Sequence, residues 1–164
     1  MDRSKRAPRH ALAGLEPLTY PFEVRDYECD LQGIVNNAVY AHYLEHARHQ
    51  FLKRHGFSFS TLTREGIHLV VVRAELEYKA PLRSGDRFVV ESTLARTSPV
   101  RFTFYQRIYR EAEGPRVLAL TAAIVCAAKD RRGRPILPTV LEPLFAAASG
   151  SGEDSAPRKH PSRA

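Results

Sequence analysis

The chain has 164 residues, a formal net charge of +7, two cysteines and no tryptophan. This length suits one domain of ordinary size rather than two. No apolar run approaches the ~20 residues that span a bilayer, and two cysteines cannot build a disulfide framework or a four-ligand zinc site. We therefore expect a cytoplasmic protein in a reducing compartment, without a membrane span or a secretory signal.

The positive charge is spread along the chain, and neither a dense basic helix nor an aromatic RNA-binding signature accompanies it. It favours a phosphate-bearing or acidic partner, and no nucleic-acid partner is expected. Residues 1–16 are polar, basic and aperiodic, which predicts a flexible arm. Residues 148–164 are rich in Ser, Gly and Pro and predict a disordered tail. The predicted folded domain is therefore residues 17–147.

The first part of that domain predicts one strand and one long helix. Residues 18–28 interleave apolar and charged side chains, as a strand does, and Gly33 marks a turn after them. Residues 37–55 carry apolar side chains at i, i+3, i+4, i+7 and i+11, which predicts a helix of about 28 Å with one apolar face. That apolar stripe consists of Tyr40, Tyr43, Leu44, Ala47 and Phe51, and Asn36 or Asn37 and Gly56 are candidate caps.

The rest of the domain predicts four more strands. They cover residues 67–78, 87–95, 101–110 and 116–128, and the short turns between them imply antiparallel pairing. Some strands are apolar on both faces, as in residues 69–72, and an open sheet leaves unpaired edges. Both features predict an oligomer in which another subunit covers part of the sheet.

An acidic residue, Asp30, lies between the first strand and the helix. This order can bring a carboxylate close to a helix N-terminus, whose free N–H groups stabilise negative charge. A carbonyl held between the two would meet a base or nucleophile on one side and oxyanion donors on the other, as acyl transfer requires. An Asp before a helix is more commonly a turn or cap residue, so the pattern alone leaves both interpretations open.

Two stretches resemble a known family. The segment VRDYECDLQGIVNNAVYAHYLEHARHQFL and the later APLRSGDRFVV look like hotdog-fold acyl thioesterases of the 4-hydroxybenzoyl-CoA thioesterase-like branch. The plant acyl-lipid (methylketone-synthase) thioesterases and related bacterial carrier-protein and polyketide thioesterases are the most similar type. The resemblance extends over about 20–140. It implies an α+β hotdog fold, with a five-stranded antiparallel sheet wrapped around one long helix, assembled as a homodimer or homotetramer.

The same resemblance implies an activity and its residues. Asp30 matches the catalytic carboxylate, which attacks a thioester carbonyl or activates a water, and the backbone N–H of Asn37 matches the oxyanion donor. Gly33 and Asn36 fall within the same motif and are predicted to line the substrate site. Many relatives have His where this chain has Asn37, so a second titrating group is absent from that position. The substrate would be an acyl carrier protein or CoA thioester with a fatty, 3-oxoacyl or polyketide chain, and neither a cofactor nor a metal is needed.

Three arginines are further candidates for substrate binding. Arg48 lies in a Glu-x-Ala-Arg pattern common in these thioesterases, although Glu45 three residues earlier would also allow a surface ion pair. Arg96 and Arg101, with Arg107, are predicted to cluster near the turn at residues 98–99. There they would form either a solvated strand edge or a seat for CoA phosphates or an acidic carrier protein.

Other interpretations of the sequence remain open at this stage. His42, His46 and His49 have a spacing that could bind a metal, but they lie opposite the apolar stripe, which favours a solvated face. Cys126 is expected in the core. An aromatic acyl-CoA could replace the aliphatic substrate, and a non-catalytic hotdog scaffold that binds acyl groups or a carrier protein is the alternative outside enzymology.

Overall fold

The structure is a computed structural model that describes residues 17–149, with side chains described through residue 145. The predicted arm (1–16) and residues 150–164 of the predicted tail lie outside this range. The elements are β1 (Leu18–Glu23), α1 (Asn37–Arg54), α2 (Phe59–Arg64), β2 (His68–Tyr78), β3 (Arg87–Ser98), β4 (Arg101–Arg110), β5 (Val117–Lys129), β6 (Pro135–Ile136) and α3 (Glu142–Ser149). Single 3-10 turns cover Asp26–Glu28 and Thr139–Leu141.

The strands form one antiparallel sheet in the order β1-β3-β4-β5-β2, and the two-residue β6 pairs with the end of β5. Helix α1 lies across one face and contacts β1 and β3. The long helix and the five long strands confirm the predicted architecture. The short sixth strand is an addition, because a run of two residues carries no alternation that a pattern could reveal.

The apolar stripe of α1 packs against the sheet as predicted. Leu44 and Phe51 are fully buried, and they join one core cluster with Phe88, Phe102 and Ile108 from the central strands. Burying each such side chain contributes about 1.5–3 kcal/mol relative to leaving it exposed. This contact fixes the position of α1, and therefore of its N-terminus, relative to the strands.

Several predicted boundaries were wrong. The first strand ends at Glu23 instead of residue 28, because the side chain of Glu28 folds back to accept a hydrogen bond from the backbone N–H of Arg25 and closes a 3-10 turn. The helices α2 and α3 were not predicted, since segments of six and eight residues show too few turns for a helical period. Helix α3 also continues two residues past the predicted domain end at 147.

Strand β2 is an edge of the sheet, and in the single chain its apolar run is exposed. Val71 is 50% exposed and Val72 is 40% exposed, and the pairing with β5 shifts register between Val71 and Arg73. The expectation that this run is covered on both faces is therefore not met within one chain. Among residues 17–149, no helix is long and apolar enough to cross a bilayer.

Candidate active site

The turn that carries Asp30 is a tight hairpin. The N–H of Asp30 donates to the carbonyl of Ile34 at 2.9 Å, and the N–H of Gly33 donates back to the carbonyl of Asp30 at 3.0 Å. Gly33 has φ +74°, which a residue with a Cβ rarely adopts, so the glycine is required by the backbone. One carboxylate oxygen of Asp30 accepts from the N–H of Gln32 at 2.8 Å, and the side chain is only half-buried.

The helix that follows begins with a well-formed cap. The side chain of Asn36 accepts from the N–H of Ala38 at 2.9 Å, which identifies Asn36, of the two candidates, as the N-cap. The N–H of Asn37 has no acceptor among residues 17–149, as is usual for the first helical position. The carbonyl of Asn37 accepts from the hydroxyl of Tyr78 at 3.1 Å, so the start of α1 lies against the end of the edge strand β2.

A buried carboxylate that the sequence analysis did not single out fixes this loop to the helix. Glu28 is 8% exposed and accepts from the hydroxyl of Tyr43 at 2.6 Å, as well as from the backbone N–H and the guanidinium of Arg25. Burial, together with the hydrogen bond to Glu28, raises the pKa of Tyr43 well above its usual value, so Tyr43 stays a donor. The sequence pattern places Tyr43 in the apolar stripe of the helix, but it does not indicate that Glu28 is the hydrogen-bond partner of Tyr43.

A surface cleft of about 700 Å³ opens between β1 and α1 on the Glu28 side of this loop. Its lining comprises Tyr20, Pro21, Phe22, Glu23, Arg25, Tyr27, Glu28, His42, Tyr43 and His46. Asp30 and Asn37 are not part of it. The cleft and the Asp30 turn are therefore separate features of the loop between β1 and α1.

Arg48 is buried beneath α1 and not on its surface. It is 9% exposed and donates to the side-chain oxygen of Gln106 at 2.9 Å, and the Gln106 amide donates in turn to the carbonyl of Leu44 and the hydroxyl of Ser92. Burial lowers the pKa of Arg48. The alternative of an ion pair with Glu45 is wrong, because Glu45 pairs with His49 at 3.9 Å and Arg48 makes no salt bridge among the described residues.

Of the three arginines expected near residues 98–99, Arg96 and Arg101 lie at that turn and Arg107 does not. Arg96 pairs with the carboxylate of Glu142 and donates to the carbonyl of Pro99 at 3.0 Å, so its guanidinium holds α3 against β3. Arg101, the first residue of β4, is exposed. Arg107 lies six residues further along β4, roughly 20 Å away at 3.4 Å per residue, and is therefore not part of that turn.

The remaining candidates are three histidines of α1 and Cys126. His42 and His46 are both exposed, and His46 also packs edge-on against Tyr20 with ring centroids 5.1 Å apart. His49 is half-buried and lies against Phe59 at 4.2 Å. No group of three or more metal-ligating side chains occurs in the described part of the chain. Cys126 is in the core, as predicted, and burial raises the pKa of its thiol to about 11.

An antiparallel sheet wrapped around one long helix, with an acidic turn at the start of that helix, defines a hotdog-fold protein. The solved 1,4-dihydroxy-2-naphthoyl-CoA thioesterase of Synechocystis has this fold too: it superposes with a TM-score of 0.73 over 80% of this chain and 96% of that one, at 20% identity. The chain belongs to the thioesterase-like superfamily, whose family model matches residues 24–145.

Two curated relatives are similar in sequence. The chloroplastic acyl-acyl carrier protein thioesterase ATL3 of Arabidopsis thaliana is 36% identical over 124 residues, which make up 75% of this chain and 64% of the relative. This chain therefore spans less than two thirds of that protein. The acyl-CoA thioester hydrolase YbgC of Escherichia coli is 30% identical over 107 residues, or 65% of this chain and 79% of the relative.

Proposed function

We propose that this protein hydrolyses acyl thioesters, giving a free acid and the thiol of an acyl carrier protein or of CoA. The observation that carries the proposal is the backbone N–H of Asn37, which has no acceptor among residues 17–149 and lies at the start of an 18-residue helix, seven residues after Asp30 begins its turn with Gly33. The positive end of such a helix stabilises an oxyanion, and a half-buried carboxylate serves as base or nucleophile.

The proposed step uses groups of this chain and one water. The thioester carbonyl oxygen accepts a hydrogen bond from the N–H of Asn37, which stabilises the negative charge that develops on that oxygen. Asp30 either takes a proton from a water that attacks the carbonyl carbon, or attacks that carbon itself and forms a mixed anhydride that a water then hydrolyses to the free acid. In both routes the C–S bond breaks and the thiolate leaves. Asn37 replaces the His of many relatives, so the role of base or nucleophile in the proposed site belongs to Asp30.

The proposed acyl site is an apolar strip on the edge strand. Val71, Leu76 and Tyr78 of β2 pair with core-facing residues of β5, so they lie on the same face as α1, yet Val71 and Tyr78 are 50% and 51% exposed. The strip runs from Tyr78, which touches the carbonyl of Asn37, toward the far end of β2. A fatty, 3-oxoacyl or polyketide chain whose thioester lies at Asn37 would cover this strip.

We further propose that the edge strand pairs with β2 of a second copy to form a homodimer. A two-fold axis through a continuous antiparallel sheet requires a residue to face itself. With Ala74 at that position, Arg73 lies opposite Glu75 of the partner subunit, and this occurs twice. The neighbouring registers place Arg73 opposite Arg73 or Glu75 opposite Glu75, and like charges directly opposite are destabilising.

The remaining candidate residues have distinct proposed roles. Gly33 and Asn36 shape the turn and the helix start, and Arg101 retains an exposed guanidinium for an anionic carrier. Arg96 would have to release Glu142 to take that role. Arg48 would bind substrate only where a chain reaches beneath α1 to its guanidinium.

The experiment that tests the proposal is a substrate panel. The same fatty and 3-oxoacyl groups are presented on an acyl carrier protein, on CoA and on pantetheine, together with aromatic acyl-CoAs, and thiol release is followed with a thiol dye. Release from at least one of these substrates, lost in Asp30→Asn, supports the proposal. Tight binding of acyl ligands without any thiol release would instead identify a non-catalytic scaffold.

A further inference from the structure

Among residues 17–149, the end of the molecule farthest from the Asp30 turn carries most of the Lys and Arg side chains that make no salt bridge. Two salt bridges are present there, Arg96 with Glu142 and Arg134 with Asp130. Seven other basic residues at this end make no salt bridge within the described range: Lys53, Arg54, Arg64, Arg101, Lys129, Arg131 and Arg132. Within the described residues, Glu65 is the only other acid there.

Five of these residues are what we call the basic end: Arg64, Arg101, Lys129, Arg131 and Arg132. Arg131 donates to the carbonyl of Arg64 at 2.7 Å and its side chain lies over Gly66, so α2 and the β5–β6 turn meet here. Arg101 pairs with Ala127, two residues before Lys129 on β5, which makes the two cations diagonal neighbours on one face.

Within one chain the basic end is remote from the Asp30 turn. His68, which pairs with Lys129, and Tyr78, which touches Asn37, are the two ends of β2, about 33 Å apart at 3.3 Å per residue. The proposed dimer changes this relationship. With Ala74 facing itself, His68 of the partner subunit lies opposite Ala80, two residues beyond Tyr78, and brings the partner's basic end beside the Asp30 turn.

We propose that the basic end is the docking surface for an acidic acyl carrier protein whose thioester is hydrolysed at the Asp30 site of the other subunit. This inference rests on the proposed function and on the proposed dimer. Charge complementarity supports it, since unpaired cations attract an acidic protein and raise its rate of association. The cations come from α2, β4, the end of β5 and the β5–β6 turn, a spread that matches the face of a protein better than the phosphates of one CoA.

The first test compares carriers with the same acyl group. In Arg64→Glu/Arg131→Glu we expect KM for the acyl carrier protein to rise at least ~10-fold with kcat within about twofold, because surface charges at an interface act mainly on association. Hydrolysis of the neutral acyl-pantetheine measures whether the active site is intact. Because Arg131 also packs on Gly66, Lys129→Glu/Arg132→Glu provides a second pair that leaves this contact in place.

The control is Arg107→Glu/Arg116→Glu, which makes the same change of charge on exposed residues away from the basic end. An equal rise of KM in the control, or no rise in either test pair, overturns the proposal. A rise for acyl-CoA with none for the carrier protein also overturns it and identifies a nucleotide site. If wild type hydrolyses no thioester, including acyl-pantetheine, the proposed function fails, and fluorescence anisotropy with a labelled holo carrier protein still decides whether the basic end docks it.

A mixed dimer tests whether a carrier protein docked on one subunit is hydrolysed at the Asp30 site of that subunit or of the other subunit. One chain carries Asp30→Asn with an intact basic end, and the other carries Arg64→Glu/Arg131→Glu with an intact Asp30. If docking and hydrolysis occur on different subunits, the mixed dimer keeps about half of the wild-type turnover at the wild-type KM for the carrier protein. If each basic end served its own chain, the only intact Asp30 would show the raised KM, and the proposal would be wrong.

Discussion

Asp30 and Asp130 hold two turns of the same geometry. In each, the Asp N–H donates to a carbonyl four residues later, a glycine N–H three residues later donates to the Asp carbonyl, and the carboxylate accepts from the N–H two residues later at 2.8 Å. The two glycines, Gly33 and Gly133, have φ +74° and +77°. The Asp-x-x-Gly pattern is therefore a turn motif in its own right.

The surroundings of the two carboxylates differ. Asp130 also pairs with the guanidinium of Arg134, and hydrogen bonds from Arg134 and Arg132 lower its pKa. Asp30 has no cationic partner among the described residues, and the turn it holds leads into α1. The turn uses one carboxylate oxygen of Asp30 as an acceptor for the N–H of Gln32. Asp30 differs from Asp130 because its turn leads into the N-terminus of the long helix α1.

This relationship supplies a matched control for the proposed active site. Asp30→Asn keeps an acceptor for the N–H of Gln32 but removes the charge, so we expect thioester turnover to fall by at least ~10²-fold with little change in folding. Asp130→Asn makes the same change in the same turn, and we expect turnover within about twofold of wild type. Thiol release and thermal unfolding are measured for both. Equal turnover in the two variants would remove Asp30 from the mechanism.

The long elements were predictable from the sequence because their patterns are local. Alternation in residues 101–110 gave the exact bounds of β4, and the stripe from Tyr40 to Phe51 gave α1 to within one residue at its end. Gly56, with φ +83°, ends that helix as predicted. These features depend on the spacing of apolar residues and on the local backbone preferences of single residues. Both can be read from one sequence.

The partners of polar side chains were not predictable in the same way. Arg48 reaches Gln106 across 58 residues, and Glu28 reaches Tyr43 from a loop whose path depends on its own turn. Helical spacing suggested Glu45 as the partner of Arg48, but burial of the Arg48 side chain under α1 took it away from that surface. Contacts between distant segments depend on the assembled core, which periodicity does not encode.

The buried network of Arg48 gives a prediction about stability. Gln106→Leu leaves the guanidinium of Arg48 buried without its acceptor, so we expect the free energy of unfolding to fall by about 2–3 kcal/mol. Arg48→Met/Gln106→Leu removes the charge and the amide together and should be less destabilised than Gln106→Leu alone. Urea unfolding of the two single variants and the double variant measures the coupling. A double variant that loses the sum of the single losses would contradict the network.

The same variants examine the proposed role of Arg48 in substrate binding. Turnover is measured below the unfolding transition of the double variant, so that stability does not limit it. An unchanged KM for every acyl chain length assigns Arg48 to the core alone. A KM that rises only for the longer chains supports contact between Arg48 and the substrate.

The two thiols should differ in reactivity. Cys126 is 5% exposed and its pKa is raised to about 11, so at pH 8 about one thiol in a thousand is ionised. Cys29 is only half-buried. We expect the native protein to release one equivalent of chromophore from a disulfide dye and the unfolded protein to release two. In Cys29→Ser the native chain should release none, and two rapid equivalents from native wild type would show that the core around Cys126 is open.

The raised pKa of Cys126 also predicts a dependence of stability on pH. The pKa of about 11 in the folded protein lies above the ordinary pKa of 9.0. The contribution of the neutral Cys126 thiol to the free energy of unfolding is therefore fully present below pH 9. Above pH 9 the unfolded thiol ionises while the native thiol stays neutral, and this contribution is lost as the pH rises to 11. Urea unfolding of wild type and Cys126→Ala between pH 8 and pH 11 isolates the effect, since the variant lacks it.

The register of the proposed dimer is open to a charge-swap test. With Ala74 on the two-fold axis, Arg73→Glu places two pairs of like charges across the interface, and we expect the dimer dissociation constant to rise at least ~10-fold. Arg73→Glu/Glu75→Arg restores opposite charges at both pairs and should return the constant close to wild type. In the register with Glu75 facing itself, the dissociation constant of the double variant would stay raised. In the register with Arg73 facing itself, the single variant would keep the wild-type dissociation constant. Sedimentation velocity across a concentration series distinguishes these outcomes.

A disulfide provides an independent measure of the same register. In a Cys29→Ser background, Ala74→Cys places two thiols directly opposite each other across the two-fold axis, where Cα atoms of paired antiparallel strands lie about 4.5–5.5 Å apart and within disulfide range. Leu76→Cys, on the same face two residues away, would lie opposite Val72 of the partner subunit and should not crosslink. Mild oxidation followed by non-reducing electrophoresis should therefore give a covalent dimer for Ala74→Cys alone. A crosslink through Leu76→Cys instead would place the axis two residues further along β2 and would separate the basic end from the Asp30 turn.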